Sequence, residues 1–370
     1  MQILDLVVDI VEWEVPTIPV VDERGSIGGR LSHGVVRVRT NLDVEATGLI
    51  GPLDGELVPC LAQLTDVIKP RLIGSRLTEP DQVWARLDGW AGHGFPLQPA
   101  MAAVDIALWD ALARARGLPL YALLEGHSRE IPAVATSPPN HAQPELVVEQ
   151  VLEAVESGFR AYKIHPGAVP ESDAIRLAGM VREAVGSSVA LMFDPNNSYD
   201  LTKALAVGRA LDEAGFAWYE DPVAPDDWNG ILRLAEAIRT PLAMSDAIGF
   251  LAHQARLALR LGAPQIVRVS ARKLGISGLK ALCDELTAAG TAFEIGFGGN
   301  PLANAANLHV ASSVAGRTYY EHMLPAGYHE TGAVSPVRVN NGAATASSRP
   351  GLGVELDPDL VSRRTVTRLG

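Results

Sequence analysis

Cysteine is nearly missing from this sequence: Cys60 and Cys283 are the only two in 370 residues. They are too few and too far apart for a disulfide framework or a thiolate zinc site, so both read as small buried apolar side chains. Positive charge is also short, with 31 Lys and Arg against 43 Asp and Glu and a formal net charge of −12. The basic residues form no run that could track phosphates, which argues against a nucleic-acid partner. No apolar run approaches a membrane span, and the opening MQILDLVVDIVEWEV carries acids and no basic n-region. No membrane partner and a cytoplasmic location are therefore expected. What is present is 47% hydrophobic residues, enough to bury a large core with room for one big domain and a smaller one.

The chain divides by pattern. Residues 2–13 and 34–40 are rich in β-branched side chains with partial alternation, and the polar, Gly-containing stretch 22–33 between them reads as a loop. Helical spacing follows at about 56–69, 80–88 and most strongly at 99–116, so the first 125 or so residues are α+β. From residue 131 short apolar runs alternate with amphipathic segments: IPAVAT (131), AYKIH (161), VALMFD (189), FAWYED (216), PLAMSD (241), QIVRVS (265), TAFEIG (291) and RTYYEH (317). Their starts lie 24 to 30 residues apart, the length of one strand, one helix and two loops. Eight such strands with seven helices between them predict a closed parallel barrel, followed by a loop-rich return that packs back on the first domain.

Catalytic groups in such barrels sit at the C-terminal ends of the strands. Asp194 ends the third run, Glu220 with Asp221 the fourth, Asp246 the fifth and Glu321 the eighth, and Asp194, Glu220 and Asp246 follow one another at intervals of 26 residues. One strand-end carboxylate reads as readily as the N-cap of the next helix. Three in successive βα units converge on one point, and so much negative charge needs a cation. Oxygen donors alone, from separate strands, suit a hard ion such as Mg²⁺.

Longer segments carry a likeness to known proteins. AAVDIALWDALARARGLPLYALL (102–124) is similar to a helix and exit segment leading into a barrel, GFRAYKIH (158–165) to a second strand, FDPNN (193–197) to a third, YEDP (219–222) to a fourth and SD (245–246) to a fifth. NPLANAANLHVASSV (300–314), with YYEHMLP (319–325), is similar to the helix and eighth strand of acid-sugar dehydratases. In this order and spacing, over nearly the whole chain, the sequence resembles the mandelate racemase and muconate lactonizing enzyme branch of the enolase superfamily. The resemblance implies an α/β fold, a (β/α)₇β TIM-type barrel over 129–344 under an N-terminal α+β capping domain over 1–128 that about 345–370 completes. It implies Asp194, Glu220 and Asp246 as Mg²⁺ ligands, Glu321 facing the substrate carboxylate or enolate, Asn196 and Lys163 beside the site, a small carboxylate as substrate and a homo-oligomeric assembly.

The sequence departs from that family at the acid/base positions. Strand two reads Lys163-Ile164-His165, placing histidine where the second lysine of a Lys-x-Lys pair usually acts. Histidine is a competent base, being mostly neutral near pH 7 without help; its place at the end of a barrel strand, in the acid/base slot, favours that role over a structural cap of the strand-two loop before Pro166-Gly167. Strand six offers Arg268, which cannot act as an ordinary base, and strand seven has Glu294-Ile295-Gly296 where relatives carry histidine. Arg268 and Glu294 then stand as substrate contacts, with Arg30 and His33 from the capping domain. With one base and no partner opposite, the sequence predicts a hydro-lyase that removes the α-proton of a hydroxylated acid and expels a β-hydroxyl. An epimerase, racemase or cycloisomerase using Glu294 or Tyr162 as second acid, and a barrel that only binds metal and carboxylate, stay open beside it. His309 reads as a core histidine, whereas His322 and His329 read equally as substrate contacts and as loop residues.

Overall fold

In the computed structural model, β1 (Ile3–Pro19) and β2 (Ser26–Thr40) pair antiparallel from Ile3 opposite Thr40 to Pro19 opposite Ser26. The model describes residues 1–370 except 20–25, 43, 52–57, 77–80, 86–97, 138–143, 245–251 and 317. Residues 26–33, expected as loop, are therefore strand. The misleading signal was glycine: Gly28 (φ 95°) and Gly29 (φ 73°) adopt left-handed backbone where the pairing register shifts between Val15 and Ile18, so they bend the ribbon and do not end it. A Cβ on Gly28 would lie 2.3 Å from the Pro16 carbonyl oxygen. β3 (Glu45–Ile50) pairs with β2, and β14 (Thr365–Leu369), the last strand of the chain, pairs with the free edge of β1. Leu6, Val8, Val36 and Val38 on one face of this sheet are buried with Val104, Ala107, Leu108 and Ala111 of the helix Gln98–Ala115. Gly48 allows the close approach, since a Cβ there would meet the Ala103 carbonyl oxygen at 2.0 Å.

The second unit is a (β/α)₇β barrel. Its strands are β4 (Glu130–Thr136), β5 (Ala161–Ile164), β6 (Ala190–Phe193), β7 (Trp218–Glu220), β8 (Leu242–Met244), β9 (Ile266–Val269), β10 (Ala292–Ile295) and β11 (Tyr320–Met323), with neighbours parallel and β11 back on β4. Among the described residues seven helices intervene, from Pro144–Glu156 to Pro301–Ala311. Leu201–Ala214 shows why they form: the Asp200 carboxylate accepts the Lys203 N–H at 2.8 Å, Ala204, Val207 and Leu211 make a buried stripe, and Gly215 (φ 63°) ends the helix. Val134, Ala161, Met192, Trp218 and Ala243 fill the barrel interior below the mouth. Between β10 and β11 side chains make the joint: Glu294 Oε2 accepts the Tyr319 N–H (2.9 Å) and the Thr318 hydroxyl (3.1 Å), while Thr318 Oγ1 accepts the Ile295 N–H (2.9 Å). After β11 the chain forms a hairpin, β12 (Val339–Asn340) and β13 (Ala343–Thr345), whose second strand lies antiparallel to the start of β4. No helix of the described residues is long and apolar enough to cross a membrane.

One buried carboxylate locks the first sheet's helix to the barrel. Asp105 accepts the backbone N–H groups of Ile276 (2.6 Å) and Ser277 (2.9 Å) and the Ser277 hydroxyl (2.6 Å), and Trp109 Nε1 donates to the same hydroxyl oxygen at 2.8 Å. It thereby caps the helix that restarts after Gly275 (φ 60°) in the segment following β9.

Candidate active site

The C-terminal ends of the strands gather ionisable side chains into one buried cluster. Lys163 comes from β5, Asp194 directly follows β6, Glu220 ends β7, Arg268 lies on β9 and Glu321 on β11, and none is more than 4% exposed. Lys163 Nζ lies 2.9 Å from Glu321 Oε1, 3.2 Å from Glu220 Oε2 and 3.3 Å from Asp194 Oδ2. Arg268 Nε is 2.9 Å from Glu220 Oε1, and Arg268 Nη2 donates to Glu321 Oε2. Trp218 Nε1 donates to Glu220 Oε2 at 3.1 Å and the Thr136 hydroxyl to Glu321 Oε1 at 3.2 Å.

Electrostatics assign the roles. Burial works against a charged Lys163, but Glu220, Glu321 and Asp194 more than offset it and raise its pKa, so Lys163 stays an ammonium. For Asp194, burial is opposed by Lys163, His165 and the Asn196 N–H, which hold its carboxyl below the usual range. Glu220 is pushed up by burial, with Asp194 and Glu321 adding to the rise and Arg268 and Lys163 opposing it. Three buried carboxylates thus outweigh two buried cations. Among the described residues no three potential ligands form a ready-made cation site, but Asp194 and Glu220 are hard oxygen donors on adjacent strands facing one point between them. That donor set and its uncompensated charge fit a hard divalent ion. Asp246, the expected third ligand, lies outside the described residues.

His165 is anchored on one side and directed on the other. Its N–H donates to Ser137 Oγ (3.1 Å), its Nδ1 is 2.7 Å from the Ser137 carbonyl oxygen, and its Nε2 is 3.0 Å from Asp194 Oδ2. A carbonyl only accepts, so Nδ1 donates to Ser137, and Nε2 is the ring nitrogen that faces Asp194 and the cluster. The turns bearing Asp194 and Glu220 are stapled together. Asn196 (φ 51°) and Asn197 (φ 60°) both take left-handed backbone, and the Asn196 N–H donates to Asp194 Oδ1 at 2.9 Å. The Asn197 N–H donates to the Asp221 carbonyl (2.7 Å) and its Nδ2 to that of Val223 (2.7 Å). Residue type alone pointed to neither Ser137 nor Asn197.

The other sequence candidates scatter. Arg30 is paired with Glu12 on the neighbouring strand with its side chain 69% exposed, a surface ion pair of the capping sheet. His33 is buried against Trp13 (ring centroids 6.4 Å apart), and burial pushes its pKa down to about 4. His309 is a core residue: Nδ1 accepts the Tyr121 N–H and Nε2 donates to the Leu352 carbonyl, each at 3.0 Å. His322 stacks on Phe159 at 5.9 Å, and His329 sits 4.5 Å from the Phe297 ring.

Glu294 serves the joint between β10 and β11. Burial pushes its carboxyl from the ordinary 4.5 up to about 7, against the pull of the Tyr319 N–H, Arg268 and Thr318. A carboxyl raised on folding contributes stability that is complete below its unfolded pKa and lost as pH climbs through the folded one. Glu294→Gln keeps an acceptor without the titration, so the variant should gain on the parent by up to about 3 kcal/mol between about pH 4.5 and pH 8. Denaturation midpoints across that range measure it; a pH-independent difference would contradict the assignment.

Comparison with known proteins agrees with this architecture. Residues 7–125 match the model of the mandelate racemase/muconate lactonizing enzyme N-terminal domain, and residues 146–360 match the enolase C-terminal domain-like model. The chain is 26% identical to 3,6-anhydro-alpha-L-galactonate cycloisomerase of Streptomyces coelicolor over 96% of its length and 93% of that protein's. It is 25% identical to arabinonate dehydratase of Saccharolobus solfataricus over 90% and 92% of the two chains. The crystal structure of a mandelate racemase/muconate lactonizing protein from Paracoccus denitrificans PD1222, complexed with magnesium, superposes with a TM-score of 0.86 at 25% identity over 100% of this chain and 99% of that one. With both domain models matched in order on one barrel and its cap, the chain belongs to the mandelate racemase/muconate lactonizing enzyme family of the enolase superfamily.

Proposed function

We propose that the protein is a Mg²⁺-dependent hydro-lyase that dehydrates a polyhydroxy carboxylic acid, an acid sugar, to its 2-keto derivative. The observation that carries this reading is asymmetry: one histidine faces the cluster with a fixed ring nitrogen, while Glu294 is engaged in the barrel joint and β9 supplies an arginine. Racemisation calls for a second proton donor across the substrate; elimination works with one group.

Asp194, Glu220 and Asp246 would hold the magnesium ion, which when bound supplies positive charge against the negative charge of an enolate. Lys163, a permanent cation, would pair with the substrate carboxylate, while Arg268 and Thr136 fix Glu321 and Glu321 fixes Lys163. His165 Nε2 takes the α-proton, its Nδ1–H held on the Ser137 carbonyl. The resulting imidazolium returns that proton to the β-hydroxyl, which leaves as water, and the enol tautomerises to the 2-keto acid. The test is a screen of purified protein with Mg²⁺ against a sugar-acid library, with 2-keto product and α-proton exchange in D₂O read in parallel. Keto product supports dehydration. Exchange alone points to an epimerase, an isomeric ring product to a cycloisomerase, and silence in every channel contradicts the proposal.

The Asn197 staple carries its own prediction. Asn197→Leu removes the donor to Val223 and strains a left-handed residue, loosening the alignment of Asp194 with Glu220. Calorimetric titration should show Mg²⁺ affinity about 10- to 100-fold weaker with the fold retained; unchanged affinity would remove Asn197 from the site's support.

A further inference from the structure

A cavity of about 300 Å³ opens at the end of the barrel opposite the candidate active site. Glu130, on its wall, is the first residue of β4, and Thr136, which touches Glu321, is the last. At the rise of a β-strand that length of β4 spans about 20 Å. Helix Pro301–Ala311 closes one side through Leu308 and His309, and the β12–β13 hairpin with the chain flanking it forms the rest. The volume falls at the lower end of the range for small-molecule sites. Arg338 and Arg349 line it with Glu130 and the hydroxyl side chains of Ser335, Thr345 and Ser347. His309 adds no charge, because burial pushes its pKa down to about 4. In a chain of net charge −12 this concavity therefore has a local excess of positive charge. Arg338 and Glu130 are both exposed, and neither side chain has a hydrogen-bond or ion-pair partner among the described residues. Two opposite charges thus share one cavity without meeting. Arg349, in contrast, is fixed. Its backbone N–H donates to Ser347 Oγ at 3.2 Å and its guanidinium to the Gly353 carbonyl. The loop so closed is tight at Gly353 (φ 66°), where a Cβ would lie 2.1 Å from Ser347 Oγ. It is pinned at Leu352, whose N–H donates to Asp110 Oδ1 (2.7 Å) and whose carbonyl accepts from His309 Nε2 (3.0 Å). One guanidinium is held in place before any ligand arrives, and the other is open to close on it.

The chemistry of the wall selects the ligand. A carboxylate offers two oxygens in one plane, which a single guanidinium fork fills, whereas the tetrahedral oxygens of a phosphate monoester accept from two guanidinium groups and from hydroxyls as well. The Glu130 carboxylate repels a second anion but accepts from hydroxyl groups. We propose that this cavity binds a phosphate monoester that carries hydroxyl groups, its phosphate on Arg338 and Arg349 and its hydroxyls toward Glu130. Lying at the far end of β4, the site is independent of the reaction at the barrel mouth and of the function proposed for it.

The experiment follows the ³¹P signals of glycerol 3-phosphate, glucose 6-phosphate and inorganic phosphate as each is titrated with the purified protein and Mg²⁺, with gluconate and glucitol titrated calorimetrically beside them. At least one ester should bind saturably and more tightly than inorganic phosphate, and glucitol should not bind. Arg338→Gln should weaken that ester about 10-fold, the lower end for a hydrogen bond to a charged group because the guanidinium is exposed. Glu130→Gln should narrow the margin of the ester over inorganic phosphate, since it removes both the repulsion felt by the free anion and the strongest acceptor for the ester's hydroxyls. Neither substitution breaks an internal contact, so both variants should keep the parent's thermal midpoint. Saturation by none of the phosphates, an ester affinity that Arg338→Gln leaves unchanged, or an Arg338-dependent affinity for gluconate equal to the ester's overturns the assignment.

Discussion

Replacing His165 by alanine should lower kcat by about 10²- to 10⁴-fold, the contribution of a positioned general acid–base group. The size follows from its position, since His165 is the one imidazole among the described residues seen to touch the Asp194–Glu220–Lys163 cluster. Lys163 is held as a cation by three carboxylates, and Arg268 does not deprotonate. A control separates chemistry from packing. His165→Asn retains a donor for the Ser137 carbonyl, 2.7 Å from the present Nδ1, and should restore the thermal midpoint without restoring turnover. Activity within tenfold of the parent in either variant would remove His165 from the reaction.

Arg268→Met should cost about 3–5 kcal/mol of stability, the range for removing one partner from a buried ion pair. Arg268 is 2% exposed and contacts both Glu220 and Glu321, so its loss leaves Lys163 alone among three carboxylates. The guanidinium also lies 5.7 Å from the centre of the Trp218 ring, a packing contact that methionine fills only in part. Arg268→Lys keeps the charge but not the fork that reaches two carboxylates, and should fall between parent and methionine. Denaturant midpoints at constant slope report the difference. A loss under about 1 kcal/mol, the level of an exposed pair, would mean that the cluster is more hydrated than its burial indicates.

The barrel was readable because its strands are buried on both faces and so appear as continuous apolar runs, most of them ended by an ionisable side chain. All eight runs lie at barrel strands, with seven helices between them among the described residues. The acids at 194, 220 and 321 were visible for the same reason: a carboxylate after an apolar run is conspicuous. What escaped was what residue type does not encode. The partner of His165 is a backbone carbonyl, which every residue carries, and the joint between β10 and β11 depends on which oxygen of Glu294 meets which N–H. Residues 26–33 looked like a loop because glycine is commoner in turns, yet Gly28 and Gly29 bend a long ribbon whose pairing supplies the hydrogen bonds. Arg30 was drawn toward the substrate by the polarity of that stretch and instead faces solvent with Glu12. Asn196 was named through the resemblance alone; that it and Asn197 take left-handed backbone, and that the turn clamps the next strand's loop, was not legible.

The measurement that bears most directly on the account uses the acid found in the screen, deuterated at its α-carbon and turned over in ordinary water with Mg²⁺. If His165 removes the α-proton and passes it to the departing hydroxyl, the deuterium appears in the solvent and none remains in the 2-keto acid. Deuterium carried over to C3 of the product would show that the abstracted proton is not passed to the departing hydroxyl and would contradict the single-group elimination.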